Sequence, residues 1–211
     1  MIDEEWVVTA GHCRLAVGNT AVIGQYFYLV GNYGEHSEHR TIDAFYIFPG
    51  YNATDKSSFD ISLVHLDRKS QVTPITVNGL GKNAMETLLV EGDPLEAIGT
   101  GMVFKGSNLP YFLQGVELPY VNNTSCDEMF NMTESIEDHH LCAGGEVDEG
   151  TCFGDSGSPI VIAGSAADGS EDVQVGLTSF GKPCAVGIPD VFTSVAYEEI
   201  SQWMEETMKN H

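Results

Sequence analysis

Ser156 lies in the segment Gly154-Asp155-Ser156-Gly157-Ser158-Pro159, where small residues flank a hydroxyl group. A serine hydroxyl is a weak nucleophile until a base activates it and amide donors stabilise the oxyanion that it generates. Glycine beside the serine would let backbone amides approach a reacting carbonyl closely. Gly, Asp and Ser are also typical of a plain turn. By itself the segment leaves both interpretations open, a catalytic nucleophile and a turn.

Two further segments supply the partners that a nucleophilic serine requires. His12 follows the apolar stretch Trp6-Val7-Val8, and Asp60 precedes the apolar stretch Ile61–Leu66. A histidine can take the serine proton, and an aspartate can hold that histidine in the required tautomer. Taken alone, His12 is more consistent with a core histidine at a strand end than with a catalytic base. Its neighbours and the other two segments favour the catalytic interpretation.

The three segments follow one another in the order His, Asp, Ser, and they resemble the trypsin-like (chymotrypsin-fold) serine proteases over nearly the whole chain. The resemblance implies that Ser156 is the nucleophile, that His12 is the general base and acid, and that Asp60 orients His12. It also implies that the amides of Gly154 and Ser156 form the oxyanion hole. The same order argues against a lipase or esterase triad.

The resemblance implies a separate role for Asp155. In this family the carboxylate pairs with the new N-terminal amine that activation of a zymogen creates, and the ion pair shapes the oxyanion hole. The sequence begins at Met1-Ile2-Asp3, shortly before the His12 segment, without the Ile/Val-Val-Gly-Gly start of the family. We therefore expect a truncated chain with weak or absent activity of its own.

The primary pocket is also inferred from the resemblance. Its base would be Gly150, where trypsins carry an aspartate, and Asp190 occupies a position where most relatives carry glycine. This combination is similar to the brachyurins and implies a broad pocket for large apolar side chains and for Arg or Lys. In the alternative, Thr151 shields Asp190 and the pocket is apolar. The implied lining residues are Gly150, Thr151, Ser179, Phe180, Gly181 and Asp190.

The five cysteines include no C-x-x-C pair, which argues against a zinc ribbon or a thioredoxin-like motif. The resemblance implies two disulfides, Cys126–Cys142 and Cys152–Cys184, and places the family partner of Cys13 upstream of this chain. We expect no metal and no cofactor. Five further histidines are expected to be ordinary polar residues: His36, His39, His65, His139 and His140.

Composition restricts the partners. The chain carries 9 basic and 31 acidic residues, a net charge of −22, which argues against nucleic acid and anionic membranes. The expected partners are protein or peptide substrates and protein protease inhibitors, and the expected state is a monomer. Disulfides indicate an oxidising compartment, hence a secreted protein. Four N-glycosylation sequons agree, beginning at Asn52, Asn122, Asn123 and Asn131.

The segments that must position these residues are short, rich in β-branched and aromatic residues, and separated by turn residues. They predict an all-β fold, and the resemblance implies two packed six-stranded-type antiparallel β-barrels, the first incomplete, with a C-terminal helix. The predicted domains are residues 1–78 with His12 and Asp60, and residues 79–211 with Ser156, joined by a connector over Val77–Glu91.

Individual elements can also be predicted. Strands are expected at 7–8, 26–30, 44–48, 61–66, 95–99, 113–119, 159–163, 173–180 and 190–195. A short helix is expected over Ser125–Phe130 with Ser125 as its N-cap, because serine caps helices well. A final helix is expected over Ala196–Met208, where apolar residues recur at helical spacing.

Two functions remain open at this point. The first is a secreted serine endopeptidase with a broad or chymotrypsin-like preference. The second is a catalytically silent protease homologue that acts as a binding or regulatory protein. The complete set of His12, Asp60 and Ser156 favours the first function for an activated protein.

Overall fold

The computed structural model describes residues 1–26, 37–55, 58–79, 89–130, 135–182 and 184–211. Strands dominate this part of the chain. The first four are β1 (Trp6–Thr9), β2 (Thr20–Ile23), β3 (Glu38–Ile47) and β4 (Ser62–Leu66). The others are β5 (Thr76–Val77), β6 (Pro94–Gly99), β7 (Gln114–Val121), β8 (His140–Gly144), β9 (Pro159–Ile162), β10 (Val173–Phe180) and β11 (Pro189–Ser194).

Strands β1 to β4 form an antiparallel sheet in the order β1-β4-β3-β2. The central strand β4 is buried along nearly its whole length, and its Leu63, Val64 and Leu66 side chains are almost inaccessible to solvent. β1 lies at one edge of the sheet, and its Thr9 pairs with Ser62 of β4. The sheet is the half-barrel expected of an incomplete first barrel.

The second sheet closes into a six-stranded antiparallel barrel. Its order is β11-β8-β7-β6-β9-β10, and an additional pairing of β10 with β11 completes the ring. Closure removes exposed sheet edges, which would otherwise invite pairing with other chains. β5 adds to this sheet as a parallel neighbour of β10, an exception to the predicted antiparallel arrangement.

One apolar core joins the first sheet to the second. It contains Trp6 and Leu63 of the first sheet and Leu177 of the second, all nearly inaccessible to solvent. The final helix α2 (Glu198–Asn210) adds Ile200 and Met204 to the same core. Burial of such side chains stabilises a fold by roughly 1.5–3 kcal/mol each. The C-terminal helix therefore fixes the relation between the two sheets.

The short helix α1 spans Asn123–Met129, and the predicted cap is wrong. Asn122 is the N-cap, and its side-chain oxygen accepts a hydrogen bond from the Ser125 amide at 3.0 Å. Ser125 lies inside the first turn, where its own amide needs an acceptor. Asparagine three residues earlier provides that acceptor, so the helix begins two residues before the predicted start.

The predicted all-β fold with a half-barrel, a closed barrel and a C-terminal helix is confirmed. The strand expected at 26–30 lies almost entirely outside the described residues. Three strands were not predicted: β2, β5 and β8. Val77 of the proposed connector belongs to β5. Within the described residues, no helix has the length and apolar character that a membrane span requires.

Candidate active site

The pairing of β1 with β4 brings His12 and Asp60 to one end of the first sheet. Because Thr9 lies opposite Ser62, the chain that leaves β1 meets the chain that enters β4. The 3-10 turn Gly11–Cys13 then carries His12, and Asp60 lies two residues before β4. Antiparallel register alone therefore places the two side chains within reach of each other.

His12 and Asp60 are joined by two hydrogen bonds. His12 Nδ1 lies 2.6 Å from Asp60 Oδ2, and the His12 backbone amide donates to Asp60 Oδ1 at 2.8 Å. Asp60 is 7% exposed. Hydrogen bonding to Asp60 raises the pKa of His12 above its ordinary value, although partial burial opposes this. The contact leaves His12 Nε2 for a second partner.

Ser179 is a second partner residue of Asp60, although the sequence predicts it only as part of the pocket wall. Its hydroxyl donates to Asp60 Oδ2 at 2.6 Å across the two barrels. Burial alone would raise the pKa of Asp60, but the hydrogen bonds from His12 and Ser179 hold it below its ordinary value. Thr193 Oγ1 also donates to the Asp60 carbonyl at 3.0 Å. No local motif around Ser179 signals this contact, since it depends on packing between barrels.

Ser156 lies in an exposed turn whose backbone requires glycine at positions 154 and 157. Gly154 has φ +102° and Gly157 has φ +76°, values that favour glycine. A β-carbon at Gly157 would lie 2.2 Å from Thr9 Oγ1, so the turn abuts the end of β1. The Cys13 thiol lies 3.6 Å from the Ser156 carbonyl oxygen. The residue next to His12 therefore contacts the backbone of Ser156.

Two amides at this turn have no protein acceptor among the described residues, and they belong to Gly154 and Ser156. The amide between them, that of Asp155, donates to the Cys152 carbonyl at 3.1 Å. Within the same residues, Ser156 Oγ and His12 Nε2 form no hydrogen bond. Catalytic hydrogen bonds commonly tighten only when substrate binds.

The Asp155 carboxylate points away from Ser156 and into the second barrel. It accepts hydrogen bonds from the Gly101 amide at 2.7 Å and from the Cys152 amide at 2.9 Å. It lines a cavity of about 210 Å³ that Gly99 and Gly150 also line. In the described part of the chain, no cationic side chain pairs with it. The cavity can therefore accommodate a further group beside the carboxylate.

A cleft of about 360 Å³ extends from Ser156 between Thr151 and the Ser179–Gly181 segment, with Asp190 in its lining. Asp190 is 6% exposed, and its Oδ2 accepts the Thr151 amide at 2.5 Å. Burial raises the pKa of Asp190 to about 6.

Two glycines make room for the Asp190 carboxylate. A β-carbon at Gly150 would lie 2.9 Å from Asp190 Oδ2, and one at Gly181 would lie 2.6 Å from Oδ1. Gly150 itself lines the cavity at Asp155 and not the cleft at Ser156. Asp190 therefore fills the space that a residue larger than glycine at position 150 would occupy.

A second cleft of about 180 Å³ adjoins His12. Its lining consists of His12, Tyr51, Asn52, Ala53, Asp55, Ser58, Asp60, Ser179 and Phe180.

Both expected disulfides are present, Cys126–Cys142 and Cys152–Cys184. The first ties α1 to β8, and the second ties the Ser156 turn to the segment after Gly181. Closing a loop of this size stabilises a fold by typically 2–4 kcal/mol. Cys13 is a free thiol, and burial raises its pKa.

His139 and His140 differ from the expectation of ordinary polar residues, because each is 4% exposed. His139 stacks on Phe59 with ring centroids 4.1 Å apart. Burial and the neighbouring His139 lower the pKa of His140 to about 3. Both rings are therefore neutral at ordinary pH.

One set of candidate metal ligands occurs in the described residues, namely Asp43, His65 and His211. His65 Nδ1 already contacts Asp43 Oδ1 at 2.6 Å, and His211 Nδ1 contacts Tyr46 OH at 2.7 Å. His65 pairs with Trp6, at the opposite end of β1 from His12. We assign this cluster no part in the chemistry at Ser156.

Comparison with known proteins gives a consistent result. A family profile described as Trypsin matches residues 1–204. Chymotrypsin-2 of Vespa crabro is 29% identical over 197 residues, 92% of this chain and 82% of that protein. Glucanase inhibitor protein 4 of Phytophthora infestans is 32% identical over 148 residues, 69% of this chain and 54% of that protein. Serine proteinase stubble of Drosophila melanogaster is 30% identical over 221 residues, 99% of this chain and 27% of that protein.

Proposed function

Because the chain belongs to the trypsin family, we propose that it is a serine endopeptidase acting through an acyl-enzyme intermediate. One observation carries the proposal. The imidazole of His12 is held by Asp60 at 2.6 Å, Asp60 is held in turn by Ser179, and this group adjoins the exposed Ser156 turn. Structural histidines rarely require an ionised, buried and triply hydrogen-bonded partner.

The proposed reaction follows from these contacts. His12 Nε2 takes the Ser156 hydroxyl proton while Oγ attacks the scissile carbonyl carbon. The carbonyl oxygen becomes an oxyanion that accepts hydrogen bonds from the backbone amides of Gly154 and Ser156. His12 then donates its proton to the leaving amine. A water molecule, deprotonated by His12, releases the acyl group and restores the Ser156 hydroxyl.

Asp60 supports this reaction through its charge. It fixes the Nδ1–H tautomer of His12 and stabilises the imidazolium that forms in each half-reaction. Its own pKa lies below the ordinary range, so it is ionised wherever His12 titrates. Neutral His12 is the active base, and its pKa is raised, so activity falls as pH drops through a value above about 6.5.

We propose that Asp155 forms the activation ion pair. Its carboxylate lines a cavity of about 210 Å³ and accepts two backbone amides without a cation among the described residues. An N-terminal amine in this cavity would pair with the carboxylate and hold Gly154 in place. A zymogen form is the corollary of this arrangement.

We propose a broad primary specificity, for large apolar side chains and for Arg or Lys. The cleft of about 360 Å³ at Ser156 has room for a large side chain. Asp190 Oδ1 faces the side of the cleft at Gly181, which supports recognition of a cation. Above about pH 6 the Asp190 side chain carries the required negative charge.

Location and partners are part of the same proposal. Two disulfides support an oxidising compartment and therefore secretion. The proposed partners are protein or peptide substrates and protein inhibitors that insert into the cleft at Ser156. We propose that the protein acts as a monomer.

A second function is favoured by one comparison. Glucanase inhibitor protein 4 is named as an inhibitor and not as a protease, although it matches 69% of this chain. The alternative proposal is therefore a protease homologue that binds another protein without cleaving it.

Covalent labelling separates the two functions. We expect a fluorophosphonate probe to label the activated full-length protein secreted from a eukaryotic host, and Ser156→Ala and His12→Ala to abolish labelling. Ser158→Ala removes a neighbouring hydroxyl and should retain the label. Absence of labelling in the folded, activated wild-type protein would refute the endopeptidase proposal and favour the binding protein.

A further inference from the structure

Asn52 begins the sequon Asn52-Ala53-Thr54, and its acceptor nitrogen has no hydrogen-bond partner among the described residues. Asn52 is also exposed. Its Oδ1 accepts the Thr54 amide at 3.1 Å and the Thr54 hydroxyl at 3.0 Å. The hydroxyl that defines the sequon therefore already contacts the acceptor amide group.

The two overlapping sequons at Asn122 and Asn123 provide a contrast. Asn122 Nδ2 donates to the Glu91 carboxylate, and its Oδ1 caps helix α1. Asn123 Nδ2 donates to the carbonyl oxygens of Glu137 at 2.9 Å and His140 at 3.1 Å. A sugar on Asn123 Nδ2 would remove at least one of its two hydrogen bonds, and a sugar on Asn122 Nδ2 would compete for space with the Glu91 carboxylate. Of the three sequons whose acceptor asparagine is described, only the one at Asn52 presents a free amide nitrogen.

Asn52 also lies beside the proposed catalytic residues. It lines the 180 Å³ cleft that His12, Asp60 and Phe180 also line. Its backbone is anchored, because the Asn52 amide donates to Ser58 Oγ at 2.9 Å and the Ser58 hydroxyl donates back to the Asn52 carbonyl at 3.0 Å. A group attached to Asn52 would therefore be held at the rim of this cleft.

We propose that Asn52 carries an N-linked glycan that screens the cleft beside His12 and limits the size of the substrates that reach Ser156. The donor would be an oligosaccharide linked to a lipid pyrophosphate. Transfer forms a bond between Asn52 Nδ2 and sugar C1 and breaks the C1–O bond to pyrophosphate. The lipid pyrophosphate leaves with the bonding electron pair, and one amide proton is released.

The consequence depends on substrate size. The inference builds on the proposed endopeptidase function, which supplies both the secretory route and the bound substrate. A glycan is bulky and well hydrated, so it excludes a folded protein from the rim more strongly than it excludes a short peptide. Docking of a protein also demands a narrower range of orientations than docking of a peptide. The glycan would therefore slow protein cleavage and leave peptide cleavage unchanged.

Mass spectrometry of the protein secreted from a eukaryotic host tests the site. We expect a sugar mass on the Asn52 peptide that disappears in Asn52→Gln and in Thr54→Ala and persists in Thr54→Ser. The double variant Thr124→Ala with Ser125→Ala destroys both sequons of the α1 region and should leave the total sugar mass unchanged. An unmodified Asn52 peptide in the wild-type protein would overturn the proposal, whatever the activity.

Kinetic measurements test whether the glycan limits access of large substrates. Enzymatic removal of the glycan and the Thr54→Ala variant should each raise kcat/KM on a folded globular protein substrate about threefold or more. Neither should change kcat/KM on a short chromogenic peptide. An equal change on both substrates, or none, overturns the size filter. If no form cleaves either substrate while Asn52 carries sugar, the endopeptidase proposal fails and the filter fails with it, whereas the glycan site stands on the mass alone.

Discussion

At the scale of single residues, we predict that Ser179 positions Asp60. Its hydroxyl gives Asp60 Oδ2 a second short hydrogen bond, beside that of His12. A hydrogen bond to a charged group contributes roughly 1.5–3 kcal/mol. We expect Ser179→Ala to lower kcat/KM about tenfold, since each factor of ten corresponds to about 1.4 kcal/mol.

The pH profile distinguishes this role from a merely structural one. Without the Ser179 hydroxyl, the Asp60 carboxylate accepts one hydrogen bond fewer, so more of its negative charge is available to stabilise protonated His12. The pKa of His12 should therefore rise. The acid limb of kcat/KM should therefore move to higher pH in Ser179→Ala, and Ser179→Thr should restore both rate and profile. An unchanged acid limb together with a lower rate would argue against positioning through Asp60.

Asp190 is a second residue whose effect depends on protonation. Burial raises its pKa to about 6, so the carboxylate is neutral below that pH and negative above it. We expect the ratio of cleavage after Arg to cleavage after Phe to rise as pH increases through about 6. Using the ratio cancels the titration of His12, which affects both substrates.

The matched variant for this prediction is Asp190→Asn, which keeps the shape of the side chain. It should lower the Arg-to-Phe ratio at pH 8 by about tenfold or more, because a buried cation is then left without its partner. If Asp190→Asn has the same Arg-to-Phe ratio at pH 8 as the wild-type protein, the pocket is apolar and the Thr151 amide shields Asp190.

Some residue contacts were accessible from the sequence and others were not. His12, Asp60 and Ser156 each lie in a recognisable local segment, so their types and order suffice to select them. Ser179 donates to Asp60 across the two barrels and has no local signature. The free amides of Gly154 and Ser156 were likewise expected from resemblance alone, and only the folded turn leaves them without acceptors.

At the scale of elements, helix α1 depends on its cap. Asn122 Oδ1 satisfies the Ser125 amide, and α1 carries Cys126 of the disulfide to β8. We expect Asn122→Ala to lower the free energy of unfolding by about 1 kcal/mol. Urea denaturation monitored by tryptophan fluorescence measures this change.

The control for the cap is Asn122→Ser, which keeps a side-chain acceptor at the same position. It should recover most of the lost stability, although it lacks the donor to Glu91. If the serine variant were as unstable as the alanine variant, the contact with Glu91 would matter more than the cap.

Strand prediction succeeded where residue type and burial agree. β4 and β10 combine β-branched or large apolar residues with near-complete burial. β8 reads His-Leu-Cys-Ala-Gly, with few residues of high strand propensity, yet all five are buried. It forms a strand because β7 and β11 flank it in the barrel, which is a tertiary effect.

At the scale of the whole molecule, buried histidines make stability depend on pH. The pKa of His140 is about 3 in the folded protein and about 6.5 in an unfolded chain. Below pH 6.5 the unfolded state binds a proton on His140 that the folded state excludes. The free energy of unfolding therefore decreases as the pH is lowered. From the titration of His140 alone, the free energy of unfolding should decrease by roughly 2 kcal/mol between pH 7 and pH 5.

Urea denaturation at pH 7 and pH 5 measures this loss. His140→Asn retains an acceptor for the Glu137 amide that now donates to Nδ1 at 3.0 Å, but it does not titrate. It should lower stability at pH 7 and flatten the pH dependence. His39→Asn, on an exposed side chain, is the control and should leave the pH dependence unchanged. An equal slope in wild type and His140→Asn would contradict the burial argument.

The sequence by itself determined the family, the identity of the candidate catalytic residues and most strands, because these depend on residue type, order and local apolar patterning. Tertiary structure alone decided what those residues touch. Asp60 acquires Ser179 from the other barrel, Asp155 turns into a cavity of the second barrel, and Asn52 lines the cleft at His12 with no hydrogen bond from its Nδ2 among the described residues. These arrangements join positions far apart along the chain, so they depend on tertiary packing and not on local sequence.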